Sequence, residues 1–125
     1  MITIKKKIVL CHGVFDILHI GHIKYLKKAK TLGDKLFVSI TADKYVNKSP
    51  GRPVFNQFQR KEFLETLKFV NKVIISNDFS AVKIIKKIKP NFYVKGADYL
   101  QKKNDFTNKI IIEKKTVEKY GGKFV

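Results

Sequence analysis

The chain has a single cysteine, Cys11, so no disulfide can form within it. A lone thiol suits a reducing compartment, and the cytoplasm is the expected location. No apolar run approaches the ~18 residues that a membrane-spanning helix requires, so no membrane partner is expected. The basic stretch Met1–Lys7 does not lead into the apolar core and small-residue cleavage site of a secretion signal. Acidic residues are scarce, with 10 Asp and Glu against 27 Lys and Arg, which leaves a formal net charge of +17. Such a balance suggests a polyanionic partner: nucleic acid, an acidic surface or a phosphorylated substrate. Arginine is scarce as well, with only Arg52 and Arg60. Arginine is the side chain that reads bases and grips phosphate bidentately, so a lysine excess reads better as solvated helix surface than as nucleic-acid recognition. Internal repeats and low-complexity segments are also missing, and at 125 residues one domain spanning 1–125 is expected.

What is present is an alternation of short apolar runs and amphipathic runs. Lys7–Cys11, Lys35–Ile40, Val73–Ser76 and Asn91–Lys95 have the length and composition of buried parallel strands. Between them, His19–Leu32 spaces Ile23, Leu26, Ala29 and Leu32 as one helix face, with Gly33 as its stop. Phe58–Phe69 offers Phe63, Leu64 and Leu67, and Phe58, Phe63 and Phe69 are read as core. Ser80–Ile88 follows, with Ser80 as N-cap and Pro90 as terminator. Lys109–Tyr120 reads as a last helix with one apolar side. The order predicts an α/β fold, a Rossmann-like parallel sheet with helices on both faces and right-handed crossovers. Ligands in such folds sit beyond the carboxyl ends of the strands. The long loop Thr41–Gln57 is a further functional candidate.

The richest strand end is Gly13-Val14-Phe15-Asp16-Ile17-Leu18-His19-Ile20-Gly21-His22. His19 and His22 lie three apart at a helix start, so both imidazoles project from its first turn. That end of a helix attracts phosphate through its unpaired N–H groups and its dipole. Gly21 admits a bulky anion near the backbone, and Gly13 allows a tight exit from the strand. Two imidazoles able to donate hydrogen bonds there suit stabilisation of extra negative charge at phosphorus. Zinc ligation would need a third ligand at a suitable position, and none is found. Cys11 reads as a buried small hydrophobe rather than a nucleophile.

The ten-residue string resembles the Gly-x-Phe-Asp-x-x-His-x-Gly-His signature of the cytidylyltransferase-like nucleotidyltransferases. Gly51-Arg52-Pro53-Val54, then Gln59-Arg60, then Val94-Lys95-Gly96-Ala97-Asp98-Tyr99 look most like the nucleotidyltransferase domain of heptose-1-phosphate adenylyltransferases, with glycerol-3-phosphate cytidylyltransferases next. The resemblance implies transfer of AMP or CMP from a nucleoside triphosphate, ATP or CTP, to a sugar phosphate or polyol phosphate, with release of pyrophosphate. It implies that His19 and His22 contact the triphosphate and that Lys48 and Arg60 complete a catalytic set. Val14 and Phe15 would contact the nucleotide through their backbone, with Asp16 bracing the turn. Lys95, Gly96 and Asp98 would lie near base and ribose, where Tyr99 could pack on a base. A magnesium ion would arrive with the nucleotide, and a homodimer, through Phe55 or Phe58, is a further analogy.

Three positions depart from the family pattern. Relatives continue into a Ser/Thr-rich motif and a last helix, whereas Tyr120–Val125 stands where the fifth strand is expected to start. His12 and Asn71 replace another polar residue and an acidic residue, respectively. Two competing readings remain. One is a fragment of a class I aminoacyl-tRNA synthetase, which shares His19-Ile20-Gly21-His22 but needs a second, lysine-rich signature not found here. The other is a basic nucleic-acid-binding module.

Overall fold

The computed structural model of the protein describes residues 6–46, 51–95 and 108–125. Five strands form one sheet: β1 (Ile8–Gly13), β2 (Lys35–Thr41), β3 (Lys72–Ser76), β4 (Phe92–Val94) and β5 (Lys123–Phe124). Their spatial order is β3-β2-β1-β4-β5, and every pairing is parallel. Among the described residues the helices are α1 (Ile20–Lys30), α2 (Gln57–Glu65), α3 (Val82–Ile88) and α4 (Asn108–Lys119), and a 3-10 turn, Asp43–Tyr45, follows β2. The expected Rossmann-like architecture is therefore present, with the reversal of strand order between β1 and β4. The fifth strand, expected only to begin near Tyr120–Val125, is already paired through Lys123 and Phe124.

Residues alternate along each strand and so divide the core between the two faces of the sheet. Val9 and Cys11 join Leu26, Ala29, Leu36, Val38, Ile40 and Leu64 on the face covered by α1 and α2. Leu10 and Tyr93 join Ala81, Ile84, Ile85 and Val117 under α3 and α4. Cys11 is buried, and desolvation pushes its thiol up to about 12, so it behaves as the small hydrophobe expected.

Several local expectations change. Phe58 and Phe63 are exposed rather than core, because α2 buries only Leu64 and Arg60. Phe63 instead meets Phe55 edge-on, with centroids 5.1 Å apart. Gly33 does not cap α1 in the left-handed region, since Thr31 is the C-cap. A Cβ at Gly33 would lie 2.8 Å from Val9 Cγ2 and 2.9 Å from the Lys7 carbonyl, so glycine is there to let the chain pass β1. Helix α3 ends on Lys89, which takes the left-handed conformation (φ 52°) one residue before Pro90. Ala81, rather than Ser80, is its N-cap residue. The α4 face that turns inward carries Glu113, Thr116 and Val117, while Ile111 and Ile112 stay half exposed. Asn71, the position where relatives favour an acid, accepts the Leu36 N–H at 2.8 Å and ties the start of β2 to the chain entering β3.

Candidate active site

The β1–α1 connection places the signature at the carboxyl edge of the sheet. Phe15 is the residue that bends the chain: it adopts φ 52°, a costly conformation for a side chain with a Cβ, and its ring is buried. Gly13 makes this possible, since a Cβ there would come 3.1 Å from the Phe15 ring. The same ring packs edge-on against His22, with centroids 5.4 Å apart.

His19 is the N-cap of α1 and His22 is its N3 residue, so the three-residue spacing of the signature is also the spacing of a capping box. His19 Nδ1 accepts the Gly21 N–H at 3.0 Å, and His22 Nδ1 accepts the His19 N–H at 3.2 Å. The two rings lie 3.9 Å apart at 38°. An imidazole whose Nδ1 accepts carries its proton on Nε2, so the backbone fixes each tautomer. Gly21 gains a sharper reason than anion access alone. A Cβ there would stand 2.8 Å from His19 Cε1 and displace the ring. His19, Ile20 and Gly21 are exposed, which leaves the end of the helix open.

Asp16 braces more than its own turn. Its carboxylate accepts the N–H groups of Val54 and Phe55, both at 2.9 Å, and the Arg52 guanidinium at 3.0 Å. Desolvation acts to raise its pKa, but these three partners outweigh it and hold the carboxyl below the usual value. The segment 52–55, which contains a cis Arg52–Pro53 bond, is thereby fastened to the signature loop.

Arg60, expected in the catalytic set, is placed differently. It is fully buried, and its guanidinium donates to the carbonyls of Phe55 (3.0 Å), Val14 (2.9 Å) and Thr41 (2.7 Å) and to Asp43 Oδ1 (2.6 Å). It clamps the β1–α1 connection to the turn after β2. Lys95 also differs from the expected nucleotide-facing residue. It is buried, with its ammonium 3.2 Å from Glu113, which also accepts Tyr93 O–H and Ala81 N–H, each at 2.8 Å. Glu113 was not legible as a site residue. Its only signal is an acid in register with inward-facing Thr116 and Val117 on a helix with few acids. His12 lies beneath the site, 2.7 Å from Ser39 Oγ. Burial, aided by the positive charge of Lys95, lowers it to about 3 and keeps it neutral. Lys48, Gly96, Asp98 and Tyr99 lie outside the described residues.

The sequence matches the cytidylyltransferase-like family over residues 10–122. The chain belongs to that family. Among curated proteins, it is 48% identical over 99 residues to the bifunctional protein HldE of Campylobacter jejuni subsp. doylei, covering 78% of this chain and 22% of that protein. It is 37% identical over 120 residues to the HldE of Geotalea uraniireducens, covering 94% of this chain and 23% of the relative. The chain thus spans less than a quarter of these relatives' length. Among solved structures, a lipopolysaccharide core biosynthesis protein from Thermoplasma volcanium superposes with a TM-score of 0.77 at 32% identity, covering 97% of this chain and 95% of that one. A pantoate-beta-alanine ligase from Francisella tularensis, solved with an ATP analogue and beta-alanine, gives a TM-score of 0.61 at 20% identity over 96% of this chain and 58% of its own, a likeness of fold alone. No helix among the described residues is long and apolar enough to cross a membrane.

Proposed function

We propose that this domain transfers a nucleoside monophosphate from ATP or CTP to a phosphorylated sugar and releases pyrophosphate. One observation carries the reading: two adjacent imidazoles at an open helix N-terminus, each oriented by a backbone N–H that donates to its Nδ1, beside helix N–H groups that attract phosphate oxygens. The acceptor phosphate attacks the α-phosphorus in line, and the imidazoles stabilise the charge that develops there. The cradle offers donors, which fit the anion and not a cation, so magnesium would ride on the triphosphate's own oxygens. Val14 and Phe15 frame the nucleotide, and Asp16 fixes the loop they belong to. Arg60 acts by positioning rather than by touching phosphate, because its donors already face protein oxygens. Lys95 likewise already faces a protein carboxylate, Glu113, and Lys48 is the lysine assigned to the phosphates. Likeness to a lipopolysaccharide core biosynthesis protein and to HldE proteins favours ATP and a heptose 1-phosphate over CTP and a polyol phosphate.

The test must remove the imidazoles while keeping the helix cap, since losing an N-cap alone costs about 1 kcal/mol. His19→Asn with His22→Gln retains both capping acceptors. Calorimetric titration with magnesium–ATP and magnesium–CTP should show nucleotide binding to the wild type and at least tenfold weaker binding to the double variant, with unchanged circular dichroism. Equal affinity in both proteins would sink the site.

A further inference from the structure

Glu113 is an acid that the cradle does not use and that the core would not tolerate alone. It is 1% exposed, on the inward face of α4, and burying a carboxylate without partners is costly. Its two oxygens meet donors from three places. Oε2 accepts the N–H of Ala81, the N-cap residue of α3, at 2.8 Å. Oε1 accepts the Tyr93 hydroxyl of β4 at 2.8 Å and stands 3.2 Å from the Lys95 ammonium. That ammonium also lies 5.0 Å from the centre of the Tyr93 ring. One carboxylate thus ties α3, α4 and the carboxyl end of β4 together.

The strand end that it holds borders the site. Val94 pairs with Cys11 of β1, so Lys95 leaves the sheet beside the strand that runs into the signature loop. The backbone of Lys95 is tied as well: its N–H donates to the Val125 carbonyl at 3.1 Å, and Val125 N–H donates to Tyr93 at 2.9 Å. Strand order reverses between β1 and β4, and ligands of open α/β sheets lie over that crevice. With phosphates drawn to the N-terminus of α1 on the β1 side, the nucleoside extends over β4. We propose that Glu113 is a positioning residue that, through Lys95, fixes the β4 side of the crevice and so sets the affinity for the nucleoside half of the triphosphate. This rests on the transferase reading above. The signature loop has its own clamps in Asp16 and Arg60, whose partners lie in the β1–α1 connection, at the end of β2 and in residues 52–55. Loosening β4 therefore leaves the phosphate end in place. Without its carboxylate partner the Lys95 ammonium loses a counter-charge that opposes the effect of burial. It then sheds its proton or turns towards solvent, and the strand end moves with it. Stability alone gives little reason for such a pair, since well-packed apolar residues of similar volume often serve as well.

Two ligands separate the halves of the site. Magnesium complexes of a non-hydrolysable ATP analogue and of inorganic tripolyphosphate are titrated into the wild type, Glu113→Gln, Lys95→Met and the Lys95→Met/Glu113→Gln double variant. Salt at about 0.3 M screens the surface lysines. Tripolyphosphate reports on the cradle alone, and the analogue on cradle and nucleoside together. The expected result is an analogue affinity at least tenfold lower in all three variants, with tripolyphosphate affinity within twofold of the wild type. The double variant should be no weaker than the weaker single one, because both changes break the same contact. It also strands no buried charge, and its amide still serves Ala81 and Tyr93, so it decides the matter if Glu113→Gln alone does not fold. A folded double variant that binds the analogue like the wild type overturns the assignment. Equal losses for both ligands overturn it too, because they mark a general loosening of the fold, and so do losses that add in the double variant. The transferase reading survives any of these failures if both ligands bind the wild type and need His19 and His22. If neither ligand binds the wild type, both readings fall.

Discussion

At the residue scale the site depends on polar side chains whose charge state is set by what surrounds them. His12 is the clearest case. It sits under the signature loop as a neutral ring, lowered by burial to about 3 from an ordinary 6.5. The unfolded chain therefore takes up a proton on this residue below about pH 6.5 that the folded chain refuses, so stability should fall as pH drops from 6.5 towards 3. At pH 4.5 the loss attributable to His12 is about 2–3 kcal/mol, at ~1.4 kcal/mol per pH unit. Asp16 does not interfere in this window. Its depressed pKa adds stability at every pH above the unfolded value near 3.8, and that is lost only at lower pH. Urea unfolding of the wild type and His12→Asn at pH 7, 6, 5 and 4.5 separates the two. The stability gap between them should shift in favour of the variant as pH falls, and parallel curves would show that His12 titrates normally.

At the element scale, the helices and strands were legible because periodicity reports burial locally. The signature was legible because its chemistry is carried by ten contiguous residues. What was not legible needed partners far along the chain. Arg60 looks like a phosphate ligand in sequence, and only the approach of Val14, 46 residues away, and of Thr41 turns its donors inward. Glu113 reads as one more exposed acid until Tyr93 and Ala81 are seen to point their donors at it. Gly33 shows the same limit. The sequence suggests a helix stop, but its backbone is not left-handed, and its service is to the packing of α1's exit against β1. The two explanations predict different mutants. Asparagine tolerates the left-handed region and would substitute well in a cap, whereas in a crowded crossing it has the same Cβ as alanine. Gly33→Asn and Gly33→Ala should therefore both lower stability, by about 1–3 kcal/mol, the usual cost of overpacking. Gly51→Asn, at φ 80° with nothing within 4 Å of its Cβ, carries only the backbone strain of the left-handed region. Asparagine bears that strain better than alanine, so Gly51→Asn should cost less than Gly51→Ala. An asparagine at 33 that restores wild-type melting would return the residue to its capping role.

At the scale of the whole molecule, the charge of +17 complicates every anion-binding experiment. Like charges repel in the compact state, so any polyanion relieves strain and stabilises the fold without a site. The cradle and the lysine surface differ in how salt treats them. Exposed lysines act through solvent, where the screening length shrinks from ~10 Å at 0.1 M salt to ~3 Å at 1 M. On the proposed reading the cradle acts through short, directed hydrogen bonds from the signature histidines and a helix end, which salt weakens less. A ligand present at a hundredfold its Kd adds ~2.7 kcal/mol to the folded state, which for a chain of this size raises Tm by roughly 10 °C. Magnesium–ATP should keep most of that rise between 0.1 and 0.5 M sodium chloride and lose it in the His19→Asn/His22→Gln variant. A short DNA duplex should stabilise both proteins alike and lose its effect across the same range of salt. If ATP and duplex instead fade together and neither responds to the two histidines, the lysine surface is the binding agent, and the protein is a basic binding module built on a transferase fold.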